Sequence, residues 1–142
     1  MQEIGHFFVS NPWFIRTKEV TLHRKTEFNR KEDMILDYHS MPFEDFPNFK
    51  GGEKTMRAQM YWDGRVRILH GILEPGASIG EHLHETNAEI MFILAGEGTI
   101  IDDGVPSPIR AGQCTYCALG HRHSLVNTSG ADLEFYASVP EQ

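Results

Sequence analysis

From residue 55 onward, turn-forming residues divide the sequence into short segments, and this division limits the possible folds more than any other feature. Asp63-Gly64, Pro75-Gly76 and Asp102-Asp103-Gly104 are typical turn signals, and the segments between them are rich in strand-forming residues. We therefore predict nine short strands, at 55–62, 65–73, 78–85, 89–94, 98–101, 105–110, 113–118, 122–127 and 133–139.

Nine short strands without a strong helical pattern indicate an all-β fold, either a double-sheet roll or a small barrel. The length of 142 residues and the apolar content of 40% suit a single domain with a buried core. We place this barrel at residues 55–142 and treat residues 1–54 as an N-terminal extension.

The extension is irregular and rich in aromatic residues. Seven of the nine Phe residues precede residue 50, together with Trp13, and Pro42 and Pro47 argue against a long helix in an aromatic loop at 41–49. Residues 32–38 fit either a short strand or a turn of helix. About fifty residues are too few for a separate core, so we expect the extension to pack on the barrel or on a neighbouring subunit, in a homodimer.

The charge balance excludes two classes of partner. Thirteen Lys and Arg residues against 20 Asp and Glu give a formal charge of −7, which is the wrong sign for binding nucleic acid or an anionic membrane surface. The longest apolar stretch, 90–95, is far shorter than the roughly 20 residues of a membrane span. The N-terminus shows no secretory signal pattern, so we expect a cytoplasmic protein.

Cys114 and Cys117 form a C-x-x-C pair that also occurs in redox and zinc sites. The pair lies in a predicted strand, where positions three apart are about 10 Å apart and point to opposite faces. That separation exceeds the ~7 Å limit for a disulfide, and the chain has no second such pair to complete a four-thiolate zinc site. We predict two unlinked, packed thiols.

Two H-x-H pairs, His82 with His84 and His121 with His123, form the main chemical signal. On a strand, residues i and i+2 share one face, so two imidazoles of a pair could converge on one ion. Glu89 follows a segment that is able to turn the chain back, so its carboxylate could reach the same point. Imidazole and carboxylate groups together suit divalent first-row metals.

The residues around these pairs reproduce a known pattern and resemble the cupin family. The first cupin motif is matched by Gly76, His82, His84, Glu89 and Gly96. The second is matched by Gly120, His123 and Asn127, with Ala118 in place of the usual Pro and Gln113 in place of the common Asp. The chain resembles a small single-domain cupin over residues 55–140.

This resemblance implies a jelly-roll barrel, also called a double-stranded β-helix, that holds one divalent metal. The ligands carried over by motif position are His82, His84, Glu89 and His123. The metal could be Fe, Mn, Ni or Zn. Without a cation, Glu89 would be an inward-facing carboxylate at the head of an apolar strand, which is energetically costly.

Four further residues are candidates for the pocket or its surroundings: His70, Met91, Tyr116 and His121. Met91 should follow Glu89 on the inward face. His70 alternates with apolar residues, and we expect it to line the barrel, either as a hydrogen-bond donor to the site or as a core residue. His121 fits equally well inside the pocket or in a solvent-exposed turn.

Three kinds of function remain open. The first is a metal-dependent enzyme acting on a small oxygen-bearing substrate, as a dioxygenase, isomerase or decarboxylase. The second is a non-catalytic binding protein for a sugar or small acid, and the third is a structural oligomer with a vestigial site. The fold alone does not choose among them, and His70, His121 and Tyr116 are the only candidates for a general acid or base.

Overall fold

A computed structural model of the chain describes residues 35–142. These residues form ten strands and one short 3-10 turn at Phe49–Gly51. The strands are β1 (Glu44–Pro47), β2 (Thr55–Trp62), β3 (Val66–Leu73), β4 (Ser78–Leu83), β5 (Glu89–Ala95), β6 (Glu97–Asp102), β7 (Val105–Arg110), β8 (Cys114–Cys117), β9 (Arg122–Val126) and β10 (Leu133–Pro140).

The strands form two antiparallel sheets. The larger has the order β1-β2-β3-β10-β5-β8 and the smaller the order β4-β9-β6-β7. Buried side chains of both sheets form one core, with Met56, Leu73, Met91 and Phe135 from the larger sheet and Ile79, Ile100, Ile109 and Leu125 from the smaller. The predicted all-β, jelly-roll class is therefore confirmed.

All nine predicted strands are present, with ends that differ from the prediction by at most two residues. The turn signals explain this agreement, because they stop each strand where the backbone must reverse. Gly64 and Gly104 have φ angles of 93° and 81°, in the left-handed region that glycine adopts without strain.

The predicted aromatic loop at 41–49 is wrong in part, because it contains β1. This strand pairs with β2, from Glu44 opposite Ala58 to Pro47 opposite Thr55. Pro47 does not prevent this pairing, because β1 is at the edge of the larger sheet, where a residue without an N–H group is tolerated.

The remaining predictions for the extension concern residues mostly outside the described part. Of the segment 32–38, residues 35–38 form neither strand nor helix, and Tyr38 begins a turn. The aromatic residues Phe7, Phe8, Trp13, Phe14 and Phe28 lie outside the described residues. Within residues 35–142, no helix has the length and apolar character that a membrane crossing requires.

The two cysteines are free and lie in strand β8, as predicted. Cys117 is buried but Cys114 is exposed, so the prediction of a packed thiol is wrong for Cys114. This alternation follows from the strand, where positions three apart point to opposite faces. Burial, with smaller contributions from nearby carboxylates, raises the pKa of the Cys117 thiol to about 11. Cys117 is therefore a poor nucleophile at neutral pH.

One packing contact gives a direct test of the core. Gly71 lies opposite Phe135 in the β3–β10 pair, and a Cβ atom at Gly71 would be 2.3 Å from the Phe135 ring. Because that ring is fully buried, Gly71→Ala should lower the free energy of unfolding by about 1–3 kcal/mol in urea denaturation.

The matched control is Gly130→Ala, since a Cβ atom at Gly130 would have nothing within 4 Å. It should change the free energy of unfolding by less than about 0.5 kcal/mol. Equal effects of the two substitutions would contradict the packing described here.

Candidate metal centre

The four predicted ligands meet at one end of the barrel and come from three parts of the chain. His82 on β4 pairs directly with His123 on β9, and His84 follows two residues later, just beyond the end of β4. Its backbone N–H donates to the carbonyl of His121, which keeps it beside the same neighbouring segment. Glu89 begins β5 in the facing sheet. Strand alternation directs His82 and His84 inward while Glu81 and Leu83 lie at the surface.

The ligand atoms of these side chains lie within 4.8 Å of one another. The Nε2 atom of His123 is 2.8 Å from Glu89 Oε2, 3.0 Å from His84 Nε2 and 3.2 Å from His82 Nε2. Glu89 Oε2 is 3.3 Å from His84 Nε2 and 3.6 Å from His82 Nε2. Neighbouring ligands bonded at about 2.0–2.2 Å to one ion have similar separations of roughly 3 Å.

Hydrogen bonds on the far side of two imidazoles determine which nitrogen faces the centre as an acceptor. The Nδ1–H of His82 donates to the Gly80 carbonyl at 2.9 Å, and the Nδ1–H of His84 donates to Asn87 Oδ1 at 2.6 Å. When neutral, both rings therefore present an Nε2 lone pair. The Nδ1 atom of His123 is buried and has no hydrogen-bond partner within residues 35–142.

This donor set fits a cation. The Nε2 lone pairs of two imidazoles and the Glu89 carboxylate are all hydrogen-bond acceptors that point to one centre. Among the residues that the structure describes, the only N–H available there is that of His123, and one donor cannot pair with all of these acceptors. A divalent first-row metal would satisfy all four groups at once, and three imidazoles with one carboxylate suit Fe, Mn, Ni or Zn. The group of His82, His84, Glu89 and His123 could therefore hold one metal ion.

The electrostatics of the group keep Glu89 in the form that binds metals. Burial by itself raises the pKa of Glu89, but the hydrogen bonds that His123, His82 and His84 donate to it when their rings are protonated outweigh burial and hold that pKa well below its usual value. For His84, burial lowers the pKa, whereas hydrogen bonds with Glu89 and Asn87 more than reverse this and raise it. Glu89 is thus a carboxylate at neutral pH.

Comparison with known proteins agrees with this geometry. Residues 69–139 match the model of the cupin domain family. The chain is a cupin. An oxalate-binding protein of Thermotoga maritima is 46% identical over 112 residues, which cover 75% of this chain and 93% of that protein.

Solved structures give the same result. The crystal structure of a predicted oxalate decarboxylase from Thermotoga maritima has a TM-score of 0.73 and 32% identity, covering 77% of this cupin and 100% of that chain. A cupin-superfamily sugar phosphate isomerase from Silicibacter pomeroyi has a TM-score of 0.62 at 20% identity, and covers 76% of each chain. The latter likeness shows a shared fold only.

Of the four additional pocket candidates in the cupin, only Met91 lies on the inward face, two residues after Glu89 and 1% exposed. Tyr116 is 61% exposed. His121 is exposed in the turn before β9, and its Nδ1 is 2.6 Å from Asp103 Oδ2. The solvent-exposed alternative for His121 is therefore the one the structure shows.

His70 lies on the outer face of the larger sheet, and the expectation that it lines the barrel needs correction. On β3 the buried positions are Leu69, Gly71 and Leu73, so His70 points the other way. Its ring nitrogens are 2.7 Å from Gln59 Oε1 and 2.6 Å from Glu134 Oε1. Because apolar residues occur on both faces of β3, the sequence pattern did not identify the inward one.

Sequence reasoning missed Arg67, which shares the inward face of β3 with Leu69. Strand β10 lies between β3 and β5. On its β3 side Val139 is opposite Arg67, and on its β5 side the adjacent Ser138 is opposite Ile90, the residue after Glu89. Arg67 and Glu89 are therefore at the same end of the larger sheet, separated by one strand. Burial lowers the pKa of Arg67, and the attraction of Glu89 opposes that shift. A correct choice of the inward face of β3 would have identified Arg67.

Sequence reasoning also missed Lys50, a half-buried residue in the 3-10 turn before β2. Burial and the charge of Arg67 lower the pKa of Lys50 to about 8, against the attraction of Glu89. Lys50 in turn acts on His84, whose pKa it lowers. No local sequence pattern marks Lys50, because the fold brings it near the site from a distant segment.

Removing one ligand tests the centre. His84→Ala should lower the metal affinity at least about tenfold, because three ligands remain where four converged. The metal-to-protein ratio of the dialysed protein, measured by inductively coupled plasma mass spectrometry, gives the result.

The control is His121→Ala, which removes the neighbouring exposed imidazole and should leave the metal content unchanged. Full metal content in His84→Ala, or loss of metal in His121→Ala, would show that the site has other ligands.

Proposed function

We propose that this cupin binds one divalent first-row metal through His82, His84, Glu89 and His123, and binds a small acid of the oxalate class at that metal. The observation that carries the proposal is the convergence of three imidazoles and a buried carboxylate at the end of the barrel near Arg67 and Lys50. The metal would be Fe, Mn, Ni or Zn.

The bound metal would supply open coordination positions and Lewis acidity for oxygen ligands. Carboxylate oxygens are suitable partners for such an ion. The chain's own residues then have two tasks, which are to hold the ion and to provide a pocket of matching charge for the acid.

The charge near the site favours an anionic ligand. Both Arg67 and Lys50 interact electrostatically with Glu89, and Arg67 interacts also with Glu141. With the Glu89 carboxylate bound to a metal, the positive charges of Arg67 and Lys50 would favour an anionic ligand at the site. The names found for similar Thermotoga maritima cupins support a dicarboxylate in particular, since they read oxalate-binding protein and predicted oxalate decarboxylase.

Binding without turnover is our first proposal, and decarboxylation is the second. Decarboxylation is favoured over dioxygenation and isomerisation by the name of the structural relative. It would convert the oxalate monoanion to carbon dioxide and formate, with the proton transferred to carbon. Against it, His70, Tyr116 and His121, the candidate proton donors, all point away from the site.

The presence of metal should control oxalate binding. Titration calorimetry of the metal-loaded protein should detect oxalate, and treatment with a chelator followed by dialysis should weaken binding at least about tenfold. The expected ratio is one oxalate per metal.

The same samples distinguish the two proposals. Formate released from oxalate would establish decarboxylation, whereas oxalate binding without formate would establish the binding protein. Equal oxalate affinity with and without metal would contradict both.

We also propose that the cupin forms a homodimer. The outer face of the larger sheet exposes large apolar side chains on adjacent strands: Phe92, Leu94, Tyr116 and Tyr136. Such a patch is typical of an interaction site, and we expect aromatic residues of the segment 1–50 to contribute to the same association.

Phe92→Thr tests this interface, because Phe92 is 52% exposed in the middle of the patch. The substitution should shift the dimer towards monomer in sedimentation velocity experiments. Leu119→Thr, at a side chain 45% exposed outside these strands, should leave the dimer unchanged. A wild-type monomer would contradict the proposed dimer, and a dimer insensitive to Phe92→Thr would place the contact elsewhere.

A further inference from the structure

The 3-10 turn Phe49–Gly51 is packed directly against the strand that carries the metal ligands. A Cβ atom at Gly80 on β4 would be 2.2 Å from the Lys50 carbonyl oxygen, and one at Gly52 would be 2.2 Å from the Ser78 carbonyl oxygen. Only glycines allow this approach of the two backbones. The carbonyl of the same Gly80 accepts the Nδ1–H of His82. The turn therefore contacts a residue that is itself hydrogen-bonded to a predicted metal ligand.

Lys50 is held in this turn at φ 57° and ψ 25°, a left-handed conformation that favours glycine. Lys54 is the useful comparison, because it has a similar φ of 56°. The Lys54 side chain is exposed, donates to the Pro75 carbonyl and lies 3.8 Å from Glu74.

The electrostatic partners of Lys50 are instead residues of the candidate site. Its charge is attracted by Glu89, repelled by Arg67, and acts on His84. Two cations whose charges both act on the buried Glu89 make the surroundings of the site favourable for an anion. Because Lys50 is half-buried, solvent screens this interaction less than it would at an exposed lysine.

We propose that Lys50 binds the second carboxylate of a metal-bound dicarboxylate and makes the site prefer dianions to monoanions of the same shape. This inference rests on the proposed function, because it takes the metal and the acid as given. Lys50 acts here as a specificity-determining residue, through a charge-assisted hydrogen bond from its ammonium group to a carboxylate oxygen.

Two ligands that differ in charge and little in shape provide the test. Oxalate carries two carboxylates, whereas oxamate replaces one of them with a neutral amide. The dissociation constants of both are measured by titration calorimetry on the full-length, metal-loaded protein, for the wild type, Lys50→Gln, Lys50→Arg and Lys54→Gln. Metal content and melting temperature of each variant are recorded with the same samples.

The wild type should prefer oxalate, and Lys50→Gln should reduce the oxalate-to-oxamate preference at least about tenfold at unchanged metal content. Lys50→Arg should retain most of the preference, because it retains the charge. Lys54→Gln should retain all of it, because that side chain lies away from the site.

One result would overturn the inference alone: an unchanged oxalate-to-oxamate preference in Lys50→Gln, whether or not that substitution weakens both ligands equally. Metal-loaded wild type that binds neither oxalate nor oxamate would overturn the proposed function and this inference with it. The two failures are therefore distinguishable.

Discussion

The contact between the Glu89 carboxylate and three imidazoles is the interaction on which the rest of this structure depends. Glu89 is buried, and an ionised carboxylate in that position is costly unless charged or hydrogen-bonding groups surround it. The smaller sheet provides those groups, since β4 and β9 bring three imidazoles to the head of β5 in the larger sheet. A cation at their centre would satisfy the lone pairs that the imidazoles direct inward.

Much of the fold could be predicted from the sequence because turns and alternation are local signals. Turn dipeptides gave the strand ends, and the H-x-H spacing placed His82 and His84 on one face. The failures also have physical causes. Strand β1 is short, contains a proline and owes its pairing to β2, and β3 has apolar residues on both faces, so that His70 was assigned to the inside when Arg67 lies there.

The candidate ligands were predictable, whereas the surroundings of the site were not. Motif spacing is enough to identify Glu89 and the histidines as a group. The position of Lys50 depends on a backbone contact with Gly80, thirty positions further along the chain, that only glycine allows. Such long-range contacts leave no periodic pattern in the sequence, although they determine the charge that a ligand meets. The metal-binding residues can therefore be identified from sequence motifs, whereas the charged residue proposed to select the bound acid is positioned by tertiary contacts.

X-ray absorption spectroscopy of the metal-loaded protein tests the central claim most directly, because it reports the atoms bound to the ion. The account predicts a first shell of nitrogen and oxygen only, at about 2.0–2.2 Å, with the outer-shell scattering of three imidazole rings. A sulfur ligand at about 2.3 Å would contradict it by placing the metal at the cysteines. A shell without imidazole scattering would show that the ion binds outside the group of His82, His84, Glu89 and His123.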